Sequence, residues 1–93
     1  VECHRFAVPE SRGTASNRRI RLPVVILRSP TTPEGEPPVL HLMGGPGQPA
    51  GIGDDAEILA WVRFLDEAGW ARDRDHIVVD TRGVGLAEPR LRC

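Results

Sequence analysis

A glycine-rich stretch, GGPGQPAGIG over residues 44–53, is the part of this sequence best suited to chemistry. It directly follows a short apolar run, residues 39–43, which has the length and character of a strand buried on both faces. Gly44, Gly45 and Gly47 let the backbone approach a ligand closely, and Pro46 stiffens the turn. Backbone amides at the carboxyl end of such a strand can lower a reaction barrier by stabilising a developing oxyanion. The loop is therefore a candidate catalytic element.

The same stretch, which we call the glycine loop, also matches a dinucleotide-binding pattern, G-x-G-x-x-G/A, over residues 45–50. In that class of protein the helix opens on the loop itself, and an acid follows about 20 residues later. Here the predicted helix begins at Asp54, and the acid that ends the next strand, Asp80, lies 35 residues beyond Gly45. A nucleotide site and a turn without chemistry are the competing interpretations.

Four short strands and one helix are expected to position this loop. Apolar and β-branched runs predict strands over residues 4–8, 20–27, 39–43 and 76–80. A stripe at helical spacing predicts a helix over residues 54–68, and its members are Ile58, Trp61, Val62 and Leu65.

Individual residues predict how these elements begin and end. Asp54 is expected to cap the helix, with Glu57 reaching back towards the same end. Gly69 is expected to stop the helix in a left-handed conformation. Pro23 lacks an amide proton, so its place inside the second strand predicts an edge position or a bulge.

The order of the elements predicts a mixed α/β sheet. The third and fourth strands flank the helix and should form a parallel β-α-β crossover. The first two strands are close enough in sequence to pair antiparallel at the edge of that unit. A sheet of this kind needs helices on both faces, and one helix leaves a face uncovered. We therefore expect residues 1–93 to be one incomplete α/β domain.

Composition restricts the class of function. The net charge is −1, which gives no overall attraction to nucleic acid or to an anionic membrane. No apolar run approaches the roughly 18 residues that a membrane span needs. The sequence contains no C-x-x-C or H-E-x-x-H motif and no carboxylate cluster, so we expect neither a metal nor a cofactor.

Four segments together resemble the opening of the proline-iminopeptidase-like α/β-hydrolases, and more narrowly the exported branch related to tripeptidyl aminopeptidases. In chain order they are CHRFAVPE, RRIRLPVVILRS, VLHLMGGPGQPAGIG and HIVVDTRGVGLAEPRLRC. GGPG after one strand, joined to D-x-R-G-x-G after the next, is the specific part of this resemblance. The similarity extends over essentially the whole chain.

The resemblance implies the N-terminal portion of an α/β-hydrolase, and a serine aminopeptidase that acts through an acyl-enzyme. Its substrate would be a peptide or a small ester or amide. The resemblance places Gly45 and its neighbour Gly44 at the amides of the oxyanion hole. Pro46 and Gly47 belong to the same active-site loop.

The resemblance also assigns a second loop, TRGVG over residues 81–85, to the border of the active site. Asp80, Arg82, Gly83 and Gly85 match this loop, whose main role is to hold the shape of the site. For Arg82 we expect an internal ion pair or a contact with a backbone carbonyl.

A catalytic triad is not contained in these residues. A nucleophile of this class stands in G-x-S-x-G and is followed by an acid and a His. The serines precede the glycine loop and lack that motif: Ser11, Ser16 and Ser29. The histidines lie in or beside predicted strands, where we expect no catalytic role: His4, His41 and His76. The remainder of the hydrolase chain would supply the triad and a lid.

Two cysteines, Cys3 and Cys93, lie near the ends of the sequence. Their spacing fits either a disulfide or two unpaired thiols. The resemblance favours a bridge, because exported members tend to join the matching pair, and it therefore implies an extracytoplasmic setting. The chain begins with Val1, which we interpret as removal of a leader or as a piece of a longer chain.

Overall fold

A computed structural model describes residues 1–13, 15 and 17–92 of this protein. Its strands are β1 (Glu2–Pro9), β2 (Arg19–Leu27), β3 (Val39–His41) and β4 (His76–Val79), and the helix α1 (Asp55–Glu67) lies between β3 and β4. The strands form one sheet in the order β1-β2-β4-β3. β3 and β4 are parallel, whereas the β1–β2 and β2–β4 pairs are antiparallel. The expected mixed α/β sheet, with a parallel β-α-β unit and an antiparallel pair at its edge, is confirmed.

The core lies between α1 and one face of the sheet. Its buried members are Val25, Leu27, Ala50, Ile52, Leu65, Ala71 and Val78. From the predicted helical stripe, Leu65 is buried, and Ile58 and Trp61 pack against this core. Val62 lies at the border of the stripe and stays exposed. The 3.6-residue period of the apolar positions thus directs one side of α1 towards the sheet.

The start of α1 follows the sequence prediction, and its end does not. Asp54 is the N-cap, and its carboxylate accepts from the Glu57 amide at 2.9 Å. Gly69, however, has no positive φ, so the predicted left-handed stop is wrong. Ala68 instead takes an extended conformation, and the chain enters a 3₁₀ turn, Gly69–Ala71. This turn buries Ala71 and brings its carbonyl to His76.

Pro23 is also placed differently from the prediction. β2 lies between β1 and β4 and is not an edge strand. The β2–β4 ladder ends at the pair Val24↔Val79, one residue away from Pro23. The Pro23 carbonyl accepts from the Asp80 amide at 3.3 Å, so the carbonyl points towards the chain that follows β4. The nitrogen of the same residue points in the same direction, where the ladder between β2 and β4 has already ended. A proline is tolerated there because the missing donor falls where the pairing stops.

The opposite face of the sheet carries no helix among the described residues. Because successive strand residues point to opposite faces, it presents the alternate set of side chains. These side chains form an open apolar surface, which we call the bare face: Phe6, Val24, Ile26, Leu40, Ile77 and Val79. Phe6 and Leu40 are exposed, and the other four are half-buried. The uncovered face expected from a single helix is therefore present.

No helix in the described part of the chain is long and apolar enough to cross a membrane.

Candidate functional site

The two loops singled out in the sequence leave the sheet at the same edge. β3 and β4 are parallel neighbours, with His41 paired to Val78, so their carboxyl ends lie side by side. We call this the carboxyl edge. The glycine loop follows β3, and the TRGVG loop follows β4. In sheets with parallel strands, this is the edge at which ligands bind.

Asp80 joins the two loops through its side chain. Its Oδ1 accepts from the Ala50 amide at 2.7 Å, and its Oδ2 accepts from the Leu86 amide at 3.0 Å. Only 2% of Asp80 is exposed. Hydrogen bonds to a charged acceptor contribute about 1.5–3 kcal/mol each, more than those between neutral groups. Asp80 is therefore a buried clamp between the two loops.

Two glycines of the TRGVG loop are fixed by their surroundings. Gly85 has a φ of 56°, and a Cβ there would lie 2.0 Å from Asp80 Oδ2. Gly83 has a φ of 79°, and a Cβ there would lie 2.8 Å from the side chain of Leu91. Only glycine combines the left-handed backbone with this closeness. The Asp80 clamp can form because the chain passes directly against the carboxylate.

Arg82 lies outside the interior. Its side chain is exposed, and Nη1 donates to the Glu10 carbonyl at 3.0 Å. This is the backbone-carbonyl contact expected for it, made at the surface. Arg82 thereby ties the TRGVG loop to the connection between β1 and β2.

The downstream half of the glycine loop is anchored to α1. The Ala50 carbonyl accepts from Trp61 Nε1 at 2.8 Å, while the Ala50 amide is held by Asp80. The Gly53 amide donates to Glu57 Oε2 at 2.6 Å. Ala50 and Ile52 are buried in the core. Residues 50–53 are thus held by side chains from two directions.

The upstream half of the same loop is open. Gly44, Gly45, Pro46 and Gly47 are all exposed. Gly45 has a φ of 147° and Gly47 a φ of 82°, both in the region that favours glycine. Within the described part of the chain, the Gly44, Gly45 and Gly47 amides donate no hydrogen bond to the protein. This segment is anchored at both ends, and its backbone amides have no hydrogen-bond partner among the described residues. It is therefore suited to bind an anionic oxygen.

The described serines are Ser11 and Ser29, and neither is hydrogen-bonded to these amides. Ser29 follows β2 at the opposite edge of the sheet, where its hydroxyl donates to the Arg72 carbonyl. Ser11 lies in the connection between β1 and β2. Ser16 is outside the described residues. Among the described residues, the arrangement therefore supplies candidate oxyanion donors to which no serine is hydrogen-bonded.

A contact between two histidines was not foreseen from the sequence. The nitrogens His41 Nε2 and His76 Nδ1 lie 2.9 Å apart, and His76 Nε2 lies 2.8 Å from the Ala71 carbonyl. Burial, followed by the proximity of His76, lowers the pKa of His41 from its ordinary value. The two residues are separated by 34 others, and only the β3–β4 register brings them together. Their pattern in the sequence carried no signal of this pairing.

The cysteine prediction concerns one residue that the structure describes. Cys3 is exposed in β1. Cys93 lies outside the described residues, so the disulfide between them stays a prediction. Among the described residues, no three His, Cys, Asp or Glu side chains are grouped so that they could hold a metal ion.

Comparison with known proteins adds no assignment. No protein-family model matches the chain, and neither the curated proteins nor the solved structures contain a significant match. The α/β arrangement and the geometry of the carboxyl edge are therefore the observations on which a function must rest.

Proposed function

We propose that this chain is the N-terminal, oxyanion-binding part of a serine hydrolase of the α/β-hydrolase fold, and that the complete enzyme is an aminopeptidase. The observation that carries this proposal is the carboxyl edge. There Asp80 ties two glycine-bearing loops together and leaves exposed amides between fixed points. The resemblance of GGPG and D-x-R-G-x-G to the matching loops of that family supplies the reaction class.

In this proposal the amides of Gly45 and its neighbour Gly44 act on a substrate carbonyl. A serine hydroxyl attacks the carbonyl carbon while a histidine takes its proton, and the carbonyl oxygen becomes an oxyanion. The two amides donate to that oxygen, which carries more charge in the transition state than in the substrate. Collapse of the intermediate expels the amine or alcohol, which the histidine protonates, and leaves an acyl-enzyme that water hydrolyses. The serine, the acid and the histidine come from sequence beyond these 93 residues.

The bare face supports the same proposal. Sheets with parallel strands are covered by helices on both faces, and the apolar residues on this face have no cover among the described residues. The remainder of the hydrolase chain would supply it. The cysteine pair adds the expectation of an extracytoplasmic protein, since disulfides persist in oxidising compartments.

The helix N-terminus argues against the dinucleotide alternative. Asp54 already occupies the capping position of α1, and Asp55 and Glu57 lie in the first turn. Three carboxylates there repel a pyrophosphate, which would otherwise bind at a helix N-terminus. The helix also begins eight residues after Gly47 and does not open on the glycine turn.

The bare face also favours a second candidate function, a non-catalytic segment that associates with another polypeptide. An apolar surface of this kind marks an interface whether or not chemistry occurs nearby. The two candidates differ in what the carboxyl edge does, because only the hydrolase needs the glycine amides.

A fluorophosphonate probe, which labels activated serines, separates these functions. The polypeptide that contains this segment together with the sequence that follows it should be labelled at a serine in G-x-S-x-G. The 93-residue chain alone is the matched control and should stay unlabelled. Tight binding of a dinucleotide without labelling would favour the nucleotide alternative. Absence of both would favour the non-catalytic segment.

A further inference from the structure

The proton positions of the His41–His76 pair follow from the geometry. A carbonyl oxygen only accepts, so His76 Nε2, which lies 2.8 Å from the Ala71 carbonyl, carries a proton. In a neutral ring, His76 Nδ1 is then an acceptor, and His41 Nε2 at 2.9 Å must donate to it. The pair forms a directed chain of hydrogen bonds from β3, through β4, to the 3₁₀ turn.

This chain of hydrogen bonds can hold one added proton and not two. A first proton can bind at His41 Nδ1, which has no described partner, and His41 Nε2 still donates to His76. A second proton must bind at His76 Nδ1. Two N–H groups then face each other across the contact, and neither ring has a lone pair left for it. The second protonation therefore breaks the link.

Aromatic rings surround the pair. The Trp61 and His41 rings are T-shaped with 4.8 Å between their centroids, and the centroid of Trp70 lies 6.1 Å from that of His76. His76 is almost fully buried.

Charged side chains border a cleft beside His76, and their charges are largely neutralised in pairs. They are Arg28, Asp66, Arg72 and Arg74. Arg28 pairs with Glu2 and Asp75, Arg72 with Asp66, and Arg74 with Glu36. His41 makes ring contacts with His76 of β4 and with Trp61 of α1. No carboxylate is hydrogen-bonded to either ring within the described residues.

We propose that the His41–His76 pair is an acid-sensitive latch that holds the carboxyl end of β3 against β4, and that its second protonation releases β3 together with the upstream half of the glycine loop, residues 44–47. His41 is the last residue of β3, and Gly44 follows three residues later. β3 is an edge strand with only three paired residues, so few other contacts hold it to the sheet. This role concerns the position of the loop and does not depend on the proposed hydrolase chemistry.

The latch is tested by NMR on the 93-residue chain between pH 8 and pH 4. At pH 7.5 the ring nitrogens should show a protonated Nε2 and an unprotonated Nδ1 at His76, with a protonated Nε2 at His41. As the pH falls below the ordinary histidine pKa of about 6.5, the opening equilibrium of β3, measured by amide hydrogen exchange, should rise. In the pH range where the open state binds the second proton and the closed state does not, the opening equilibrium constant should rise about tenfold for each pH unit of acidification. β1 and β2 amides should stay protected over the same range.

Two variants control this experiment. In His41→Gln, the side-chain NH₂ can donate to neutral His76 Nδ1, and after rotation the side-chain oxygen can accept from protonated Nδ1. Protonation of His76 then no longer breaks the contact, so the exchange of β3 should lose its dependence on this pair. His4→Gln removes a histidine that contacts Glu2 and lies outside the pair, so it should behave as wild type. A wild-type β3 whose protection follows that of His41→Gln down to pH 4 would overturn the proposal. So would equal loss of protection in β1 and β2, or a mixture of tautomers in both rings at pH 7.5.

Discussion

The two edges of the sheet are held together in opposite ways. At the amino edge, where β2 ends and β4 begins, side chains bond to one another. Arg28 reaches both Glu2 and Asp75 at 2.9 Å. Asp75 also accepts from the Ser29 amide at 2.8 Å and from Thr32 Oγ1 at 3.0 Å. Donors and acceptors at this edge largely satisfy each other.

The carboxyl edge uses one side chain and the backbone instead. Asp80 holds the Ala50 amide of the glycine loop and the Leu86 amide that directly follows the TRGVG loop, and the exposed glycine amides nearby donate to nothing among the described residues. This difference indicates at which edge a ligand can bind. An edge closed by mutual ion pairs leaves few of its described donors for a ligand, whereas an edge built from anchored backbone presents them in fixed positions.

The largest expected effect on stability is at Gly85, whose backbone passes directly against the Asp80 carboxylate. Gly85→Ala places a Cβ 2.0 Å from Asp80 Oδ2 at a φ of 56°. Backbone strain and overpacking together should lower the free energy of unfolding by roughly 3–4 kcal/mol. Gly35→Ala is the matched control, because Gly35 also has a positive φ, and nothing lies within 4 Å of its added Cβ. Urea unfolding measures both, and an equal loss would show that the clamp does not constrain Gly85.

The next effect compares one carboxylate from each edge. Asp80→Asn keeps one acceptor and turns an NH₂ group towards the other buried amide, so it should cost about 2–3 kcal/mol. Asp75→Asn should cost less, because Asp75 is 19% exposed at its side chain and water can satisfy its partners. Urea unfolding of the two variants checks the order. A larger loss for Asp75→Asn would contradict the role of Asp80 as the main clamp.

A smaller effect is expected at the anchor between the glycine loop and α1. Trp61→Phe removes the donor to the Ala50 carbonyl and should cost about 1 kcal/mol. Trp70→Phe provides the control, because Trp70 is 66% exposed and its indole makes no hydrogen bond within the described residues. Hydrogen exchange of the residue 50–53 amides should rise in the first variant only. The same rise in both would assign the effect to lost aromatic area.

The smallest effect is a pH dependence at the amino edge. The Ser29 amide, followed by Arg28, lowers the pKa of Asp75 from its ordinary value. The folded chain then binds fewer protons than the unfolded chain, so this stability is present above the ordinary pKa near 3.8 and is lost as the pH falls below it. Solvent screening keeps the effect small. Free energies of unfolding between pH 6 and pH 2 should fall less steeply in Asp75→Asn than in wild type, and identical slopes would remove Asp75 as the cause.

Much of the fold could be predicted from local patterns. The apolar runs located all four strands, and the Ile58–Trp61–Leu65 spacing located the helix and the side that it buries. β3 ends at His41, two residues earlier than predicted, because apolar character does not show where pairing with β4 stops. The predictions of an edge position or bulge at Pro23 and of a left-handed helix stop at Gly69 failed for a related reason. The propensities of these two residues are local, whereas the end of a ladder and the turn that buries Ala71 are set by tertiary packing.

The candidate site was predictable in part. The two glycine loops and the residues in them were found by type and spacing, and the parallel strands bring the loops to one edge as expected. The pairing of His41 with His76 was missed, because it depends on the register of two strands separated by a helix. The hydrogen bond from Trp61 to the Ala50 carbonyl was also missed. The apolar stripe predicts which side of the helix faces the core, but it does not predict the direction of the indole N–H.

The central proposal is that the glycine amides of the carboxyl edge stabilise an oxyanion, and matched glycine variants of the complete protein, which we propose to be a hydrolase, test it most directly. Gly45→Ala introduces a Cβ 2.9 Å from that of Gln48 and displaces the donor, whereas Gly35→Ala strains a loop near the amino edge. We predict that kcat for an aminoacyl amide falls roughly 10²–10³-fold in Gly45→Ala, with little change in KM, and stays at the wild-type value in Gly35→Ala. An unchanged kcat in Gly45→Ala, or an equal loss in both variants, would contradict the account.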